Sequence, residues 1–279
     1  MIKMSIKIGY FHIVFSENAD ALSKKYNWPI ESEFNPKSGD VYILFGANEV
    51  PQLLLKKQEE LPFKIFYIIL NSEQIESRFL RDPNYIKLLK TNFVFNYSNK
   101  ITQWLEKHIS IKVLGSFYFQ FVESNFNFYK DRKIDVAFVG SRNNKRQTIM
   151  DNIKKMPLNV YTDFEWNHKA PDDLTILLNK CKVVINIPYY NNNSLETHRI
   201  IKALSCGCTV ISLRSSDEEL DSIFEEYIYF TDNIPSCITS YFNNELKPKK
   251  TYQELIAILD SKTHEFKSCV DNLFIKLNN

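Results

Sequence analysis

A short basic loop follows an apolar strand near the middle of the sequence. It runs Gly140-Ser141-Arg142, and Lys145 and Arg146 follow as a predicted helix begins. A helix N-terminus offers free N–H groups and a positive dipole to anions, and arginine forms bidentate contacts with phosphate. The loop is neither a Walker loop nor a G-x-G-x-x-G turn. It predicts a phosphate-binding site through Gly140, Ser141, Arg142 and Arg146, and a solvated basic helix start is the alternative.

A second polar segment opens a later predicted helix, just after the apolar run KVVINI. Pro188 stops that run, and Glu196, Thr197, Arg199 and Lys202 follow. On a helix, Glu196, Arg199 and Lys202 fall on neighbouring turns of one face. Glutamate can accept two ribose hydroxyl groups and arginine can hold a diphosphate. We assign these five residues to a nucleotide diphosphate site. The alternative is a Glu196–Arg199 pair on a solvated helix face.

Strands and helices alternate along both halves of the chain. Short unbroken apolar runs, such as DVAFV at 135–139, predict buried parallel strands with helices over both faces of the sheet. The run at 158–161 predicts a further strand, and 195–205 predicts a helix capped by Asn193 or Ser194. Ligands of such sheets bind beyond the carboxyl ends of the strands, which is where both polar segments begin.

The predicted elements divide the chain into two α/β halves of similar size. We place an N-terminal domain at 1–116, an aromatic and polar interdomain crossing at 117–133, and a C-terminal domain at 134–250. A terminal helix follows at 251–279, and packing back on the N-terminal domain is one option for it. With two facing halves, the expected site is the cleft between them.

Composition narrows the class of protein. The chain has 279 residues, a formal net charge of +2, 44% hydrophobic residues and 24% charged residues, which is typical of a folded domain. The small net charge argues against a nucleic-acid partner. No apolar run reaches 18 residues and the N-terminus carries charges, so we expect a cytoplasmic protein. The basic patch KPKK at 247–250 is most simply a solvated loop, and contact with anionic lipid at a membrane surface or with an acidic glycan is the alternative.

The five cysteines contain no C-x-x-C pair. Cys206 and Cys208 flank one glycine, so on a strand they would point the same way. We interpret them as small apolar residues of a reduced protein. A metal or redox pair is the alternative.

Three segments together resemble a known fold family. They read DVAFVGSRNNKR, then LLNKCKVVINIPYY, then LETHRIIKALSCGCTVIS. They resemble the donor half of GT-B glycosyltransferases, in the broad group that includes CgeB-like enzymes. FKIFYIILNSEQ and TNFVFNYSNKITQWLEKHISIKVLG look like the first half of the same group. The resemblance covers roughly 40–232. It implies an α/β protein with two facing Rossmann-like domains, parallel sheets covered by helices and a cleft between them.

The resemblance also implies roles for particular residues. Residues 140–142 match the phosphate-side loop of the family, and Glu196 and Arg199 match its nucleotide-contacting helix start. Many relatives have a glutamate about five residues before the glycine of the A-L-x-C-G run, where this chain has Lys202. Either Glu196 takes the ribose role or the nucleotide is held differently.

No metal cofactor is expected, because the sequence contains no D-x-D triplet. In GT-B chemistry, basic groups and helix dipoles stabilise the leaving diphosphate instead. An inverting transfer needs a base for the acceptor hydroxyl, and His12, Glu17 and Glu73 follow strands of the first half. Each has a structural alternative, as a loop histidine, a loop carboxylate or a helix cap. A retaining transfer would need no such base.

Two aromatic residues after a strand of the second half, Tyr161 and Trp166, could stack on the nucleobase, with loop packing as the alternative. We predict a glycosyltransferase that moves a sugar from a nucleotide diphosphate sugar to a glycan, lipid-linked or protein acceptor. The alternatives are a non-catalytic nucleotide- or glycan-binding module of the same fold and a GT-B-fold sugar-nucleotide epimerase.

Overall fold

A computed structural model of the protein describes residues 5–31, 33–119, 121, 132–165 and 171–278. The chain divides into two compact units. Unit 1 contains Met1–Gln120 and Ile258–Asn279, and unit 2 contains Phe121–Ala257. Each unit has one five-stranded sheet with parallel strand pairs. This confirms the α/β class and the parallel sheets that the alternating pattern predicts.

Unit 1 has its strands in chain order, β1-β2-β3-β4-β5. The strands are β1 (Ser5–Tyr10), β2 (Asp40–Phe45), β3 (Phe66–Asn71), β4 (Phe93–Asn96) and β5 (Val113–Ser116). The helices are α1 (Ser16–Tyr26), α2 (Pro51–Glu60), α3 (Pro83–Thr91) and α4 (Asn99–Trp104). β2 is buried along its whole length, as expected of an unbroken apolar run in a sheet that is covered on both faces.

Unit 2 has the order β10-β9-β8-β6-β7. Its strands are β6 (Ile134–Val139), β7 (Val160–Asp163), β8 (Cys181–Asn186), β9 (Thr209–Ser212) and β10 (Tyr229–Phe230). Its helices are α5 (Asn144–Ile153), α6 (Pro171–Leu178), α7 (Thr197–Ser205), α8 (Glu218–Phe224) and α9 (Ile234–Phe242). Phe138, Ile185 and Ile211 of the strands pack with Met150 of α5 and Ile238 of α9 in its core.

The terminal helix α10 (Tyr252–Asn278) runs unbroken and belongs to both units. Within unit 1, Phe266 of α10 meets the ring of Phe95 on β4 edge to face, with the ring centroids 4.8 Å apart. Lys25 of α1 forms a 2.7 Å ion pair with Asp260 of α10. The helix is therefore part of the packing of unit 1 from residue 258 onward.

No helix among the described residues is long and apolar enough to cross a membrane.

Two elements begin or end elsewhere than the sequence predicts. The strand expected at 158–161 is β7, and it reaches Asp163 because Val139 at the end of β6 pairs with that residue. The helix α7 begins at Thr197 with Glu196 in the cap position, so the caps predicted at Asn193 or Ser194 are wrong. Both Asn193 and Ser194 are buried, and the Asn193 carbonyl accepts hydrogen bonds from Ser216 rather than belonging to a helix turn.

Candidate functional site

The strand order of unit 2 reverses between β6 and β8. The chain leaves β6 for β7 on one side and returns to β8 on the other side. Loops after two such strands run in opposite directions and leave a crevice beyond the carboxyl ends, where ligands of open α/β sheets bind. Gly140 follows β6 and Pro188 follows β8, so the two predicted polar segments meet at this reversal.

Arg146 joins the segments around the crevice. Its side chain is 2% exposed. Nε donates to the Ile187 carbonyl at 2.8 Å, and Nη1 donates to the Ser141 carbonyl at 2.9 Å. Nη2 donates to both carboxylate oxygens of Glu196, at 2.8 and 3.2 Å. The guanidinium therefore ties the loop after β6, the loop after β8 and the start of α7 to one another.

The ionisation of Arg146 is consistent with this buried position. Burial lowers the pKa of Arg146 to about 10, and the neighbouring Glu196 carboxylate opposes that shift. The side chain is charged at neutral pH, and its ring neighbours are Phe138 and Tyr189, each with its centroid within 5.3 Å of the guanidinium carbon. Because nearly all of its donors are used inside the protein, Arg146 is suited to hold the site in shape.

Arg199 is the more accessible cation, with a side chain 25% exposed. Nη1 donates to Oδ1 of Asn186 at 3.2 Å and forms an ion pair with Glu196. A Cβ atom added to Gly140 would lie 2.8 Å from Nη2 of Arg199, which is closer than real Cβ contacts. Glycine at 140 thus allows the guanidinium to lie directly over the loop.

The N-terminus of α7 lies at the same place. Glu196 occupies the cap position, but its side chain makes no capping hydrogen bond. The Thr197 N–H donates to the Leu195 carbonyl at 2.8 Å, and the first turn of the helix carries the positive end of its dipole. Thr197 is 1% exposed, and its hydroxyl has no hydrogen-bond partner among the described residues. The crevice therefore combines Arg199 with an uncapped helix start, an arrangement that attracts anions.

Glu196 is enclosed by donors. Its carboxylate accepts from Arg146, Arg199 and the backbone N–H of Tyr189, the last at 3.3 Å. The pair with Arg199 is the i,i+3 pair that spacing allows, but Glu196 is only 19% exposed, so this is not a solvated helix face. A ribose contact through Glu196 stays a prediction. It would require a ribose hydroxyl to replace one of these three donors at the carboxylate.

The other residues predicted for the donor site differ in how far they are exposed to solvent. Ser141 supplies the carbonyl that Arg146 binds, and Arg142 is exposed, with its guanidinium carbon 5.0 Å from the centre of the Phe164 ring. Pro188 is buried directly after the Ile187 carbonyl. Lys202 is 1% exposed, and its ammonium donates to the Thr175 hydroxyl of α6 at 2.6 Å.

The predicted stacking residues are only partly described. Tyr161 lies within β7, paired with Ala137 of β6, and not in the loop that follows. Its hydroxyl donates to the Asp163 carboxylate over 3.4 Å. Trp166 lies outside the described residues. Stacking on a nucleobase stays a prediction for both.

Glu73 follows β3 at the carboxyl edge of the sheet in unit 1. Burial raises its pKa to about 7, with a smaller increase from Glu49, while the hydrogen bond from the Ser77 hydroxyl and the charge of Arg78 oppose the shift. A carboxylate with a pKa near the working pH is suited to general-base catalysis. The cap role that we considered for Glu73 belongs to Ser77, whose hydroxyl accepts from the Phe79 N–H.

Two buried asparagines at neighbouring strand ends of unit 1 are not among the residues that the sequence motifs predict. Asn71 ends β3, Asn96 ends β4, and the two are paired in register. Both are fully buried, and neither Nδ2 has a hydrogen-bond partner among the described residues. Asn71 Oδ1 accepts from the Tyr85 hydroxyl at 2.9 Å. In the sequence, each of these residues is a polar asparagine that directly ends an apolar run, FYIILN or FVFN, and this pattern could have marked both as candidate site residues.

The other candidate bases have structural contacts. His12 lies after β1, and its Nδ1 accepts a 3.2 Å hydrogen bond from the Val14 N–H, capping a short 3-10 helix. Glu17 lies in the first turn of α1. Either can still reach solvent, since both side chains are partly exposed.

Three of the five cysteines lie in the interior of unit 2, where the Cys181 and Cys208 thiols donate to the Leu177 and Leu178 carbonyls, each at 3.1 Å. Cys181, Cys206 and Cys208 are buried free thiols. Burial raises the pKa of Cys181 to about 12 and that of Cys208 further, which disfavours the reactive thiolate form of these two side chains. In the described ranges, no group of three or more histidine, cysteine, aspartate or glutamate side chains could hold a metal ion.

Comparison with known proteins bears on the fold. HepE of Anabaena in complex with UDP-glucose superposes with a TM-score of 0.62 at 11% identity, over 97% of this chain and 99% of that chain. Sucrose-phosphate synthase from Thermosynechococcus elongatus gives 0.54 at 13% identity, over 92% and 76%. The chain has a GT-B fold. No protein-family model and no curated protein sequence matches this chain, so membership of the CgeB-like group stays a prediction.

Proposed function

We propose that the protein is a glycosyltransferase that uses a UDP-sugar donor. The observation that carries the proposal is the approach of Arg199 to Gly140 at the strand reversal of unit 2, beside the uncapped start of α7. HepE, which is similar over almost its whole length, holds UDP-glucose in its crystal structure. A uridine diphosphate carries the negative charge that this crevice attracts.

The donor diphosphate lies against the N-terminus of α7, with Arg199 as its side-chain contact. When the bond from the sugar to the diphosphate breaks, negative charge develops on the leaving oxygen. Fixed N–H dipoles and a guanidinium stabilise that charge without reorganising, so the proposal needs no metal. Glu196 keeps Arg199 in place through their ion pair.

The acceptor is a hydroxyl group of a glycan, a lipid-linked saccharide or a protein. In an inverting transfer, Glu73 takes the hydroxyl proton while the acceptor oxygen bonds to the anomeric carbon. The carbon–oxygen bond to the diphosphate breaks, and UDP leaves with that electron pair. The raised pKa of Glu73, about 7, suits this proton transfer at neutral pH.

The test is a calorimetric titration of UDP into the wild type and two arginine variants. We expect Arg199→Ala to weaken UDP binding by about 1.5–3 kcal/mol, roughly ten- to a hundredfold, because a charge-assisted contact is lost. Arg214→Ala is the matched control in unit 2, since Arg214 is exposed and paired with Glu225. It should leave the affinity unchanged.

Hydrolysis of UDP-glucose without acceptor separates an enzyme from a binding module, because many transferases also pass the sugar to water. Release of UDP by the wild type supports the proposal. UDP binding with no release of UDP under any condition favours the non-catalytic module. Equal affinities of Arg199→Ala and the wild type would contradict the site.

A further inference from the structure

A second pocket of unit 2 lies at the opposite edge of its sheet. It has a volume of about 680 Å³, within the range of pockets that bind small molecules. Its lining includes Thr209, the first residue of β9, and Tyr229, the first residue of β10. Gly140 and Asn186, by contrast, stand at the carboxyl ends of β6 and β8. The pocket therefore shares no residue with the proposed donor site.

Two half-exposed tyrosines form a wall of this pocket. The rings of Tyr229 and Tyr241 have centroids 6.3 Å apart and planes at 62°. The Tyr229 hydroxyl donates to the Lys247 carbonyl at 2.7 Å, and the Thr209 hydroxyl donates to the Tyr241 oxygen at 3.1 Å. Because both phenols are anchored at their hydroxyl ends, the ring faces are fixed before any ligand arrives, which lowers the entropy lost on binding.

Polar side chains surround the aromatic wall. Asn244 and Gln253 carry exposed amide groups at the rim. Lys249 lies with its ammonium 5.1 Å from the centre of the Tyr229 ring and donates to the Glu225 carbonyl. An ammonium has three donors, so Lys249 can serve a ligand as well. The rim thus offers both donors and acceptors next to aromatic carbon.

The chemistry of the lining selects among ligand classes. An acyl chain would require a hydrocarbon lining, but the hydrocarbon side chains here are Leu204, Leu246 and Pro248 alone, among many hydroxyl, amide and ammonium groups. A sugar ring presents C–H faces to aromatic carbon and hydroxyl groups to a polar rim. We infer that this pocket binds a saccharide.

The experiment uses three defined probes, maltotetraose, cellotetraose and chitotetraose, in saturation-transfer NMR with the full chain. Titration up to about 10 mM detects millimolar dissociation constants. We expect at least one probe to bind, and Tyr229→Ala and Tyr241→Ala each to weaken it by at least about tenfold, since an aromatic contact is removed. Tyr229→Phe keeps the ring and should retain binding to within about threefold.

Two further variants keep the test decisive. Gln253→Ala changes an exposed rim side chain, so it should fold normally and still weaken the saccharide, whatever the tyrosine variants do to folding. Arg199→Ala should leave saccharide binding intact. The inference is overturned if none of the three probes binds, if the tyrosine and Gln253 variants bind like the wild type, or if Arg199→Ala abolishes binding. UDP titrations of the same variants report separately on the proposed donor site.

Discussion

The carboxyl edges of the two sheets carry opposite chemistry. In unit 2, the strand order reverses at β6 and β8, and Arg146 and Arg199 face one carboxylate there. In unit 1, the strands follow one another in chain order, and the edge carries the carboxyl of Glu73, whose pKa is raised by burial, next to the strand ends at Asn71 and Asn96. Both units thus place their polar residues at the carboxyl ends of parallel strands. The residues at the strand ends give one edge two guanidinium groups and the other a carboxyl group whose pKa is raised by burial.

The strand-terminal asparagines sharpen this difference. Asn186 of β8 uses both ends of its amide, since Nδ2 donates to the Ser212 hydroxyl at 2.9 Å and Oδ1 accepts from Arg199. Asn71 and Asn96 leave their Nδ2 groups without a partner among the described residues. The amide of Asn186 is therefore fully used before a ligand binds, and among the described residues the unused polar group beside it is the Thr197 hydroxyl. The edge of unit 1 keeps two buried donors unused, which burial normally disfavours.

The largest expected effect comes from removing the guanidinium that joins the loops of unit 2. Arg146→Met keeps much of the side-chain volume but leaves the Ile187 and Ser141 carbonyls and the Glu196 carboxylate without that donor. Losing one partner of a buried ion pair lowers the free energy of unfolding by about 3–5 kcal/mol. Urea unfolding measures this loss.

Arg214→Met is the matched control for that measurement. Arg214 pairs with Glu225 on the surface, with both side chains about half exposed, and exposed pairs contribute only about 0–1 kcal/mol. If Arg146→Met were as stable as Arg214→Met, Arg146 would not organise the crevice of unit 2.

Sequence patterns predict the strands and the basic loop, but they do not predict the contacts between these elements. The unbroken apolar runs predict parallel buried strands because such a strand has no solvent face. The loop at 140–146 follows from a glycine and three basic residues after one of these runs. No pattern shows that Arg146 turns inward while Arg142 stays exposed, because that depends on where the carbonyls of distant loops lie.

The asparagines at the strand ends likewise show that sequence patterns do not predict tertiary contacts. The runs FYIILN, FVFN and CKVVIN each end in a buried asparagine, a repeated signal within the sequence. Which asparagine finds partners depends on the neighbouring strand and on α7, and neither is fixed by local spacing. The extension of β7 to Asp163 has the same origin, since pairing with β6 sets it.

The second prediction tests the chemistry of the edge in unit 1. Glu73→Gln should lower turnover of a UDP-sugar by at least about a hundredfold, because a general base contributes that much or more. UDP affinity should stay within about twofold of the wild type, since donor contacts are assigned to unit 2. Steady-state kinetics and a UDP titration measure the two quantities side by side.

Glu49→Gln is the matched control for that variant. Glu49 is an exposed carboxylate close enough to Glu73 to raise its pKa, and its removal should change turnover little. Normal turnover of Glu73→Gln would remove it as the base. His12→Gln and Glu17→Gln are then the variants to assay, because those two residues follow the first strand of the same unit.

The smallest effect is a pH-dependent difference in stability, and it tests the environment of Glu73 without any substrate. A glutamate in the unfolded chain ionises near pH ~4.3, whereas burial holds the pKa of Glu73 at about 7 in the folded protein. Between these pH values the folded state binds more protons than the unfolded state, so rising pH lowers the free energy of unfolding of the wild type. Glutamine does not titrate.

Glu73→Gln should therefore gain stability relative to the wild type as the pH rises from about 4 to 8, by about 1–3 kcal/mol in total. Urea unfolding at four or five pH values measures this gain. Glu49→Gln should show a much flatter difference, since that carboxylate is exposed. A gap for Glu73→Gln that stays constant over the whole range would mean that its carboxyl ionises as in water. The edge of unit 1 would then hold a carboxylate with an ordinary pKa, which is a weak base at neutral pH. The two edges would in that case differ only in the guanidinium groups of unit 2.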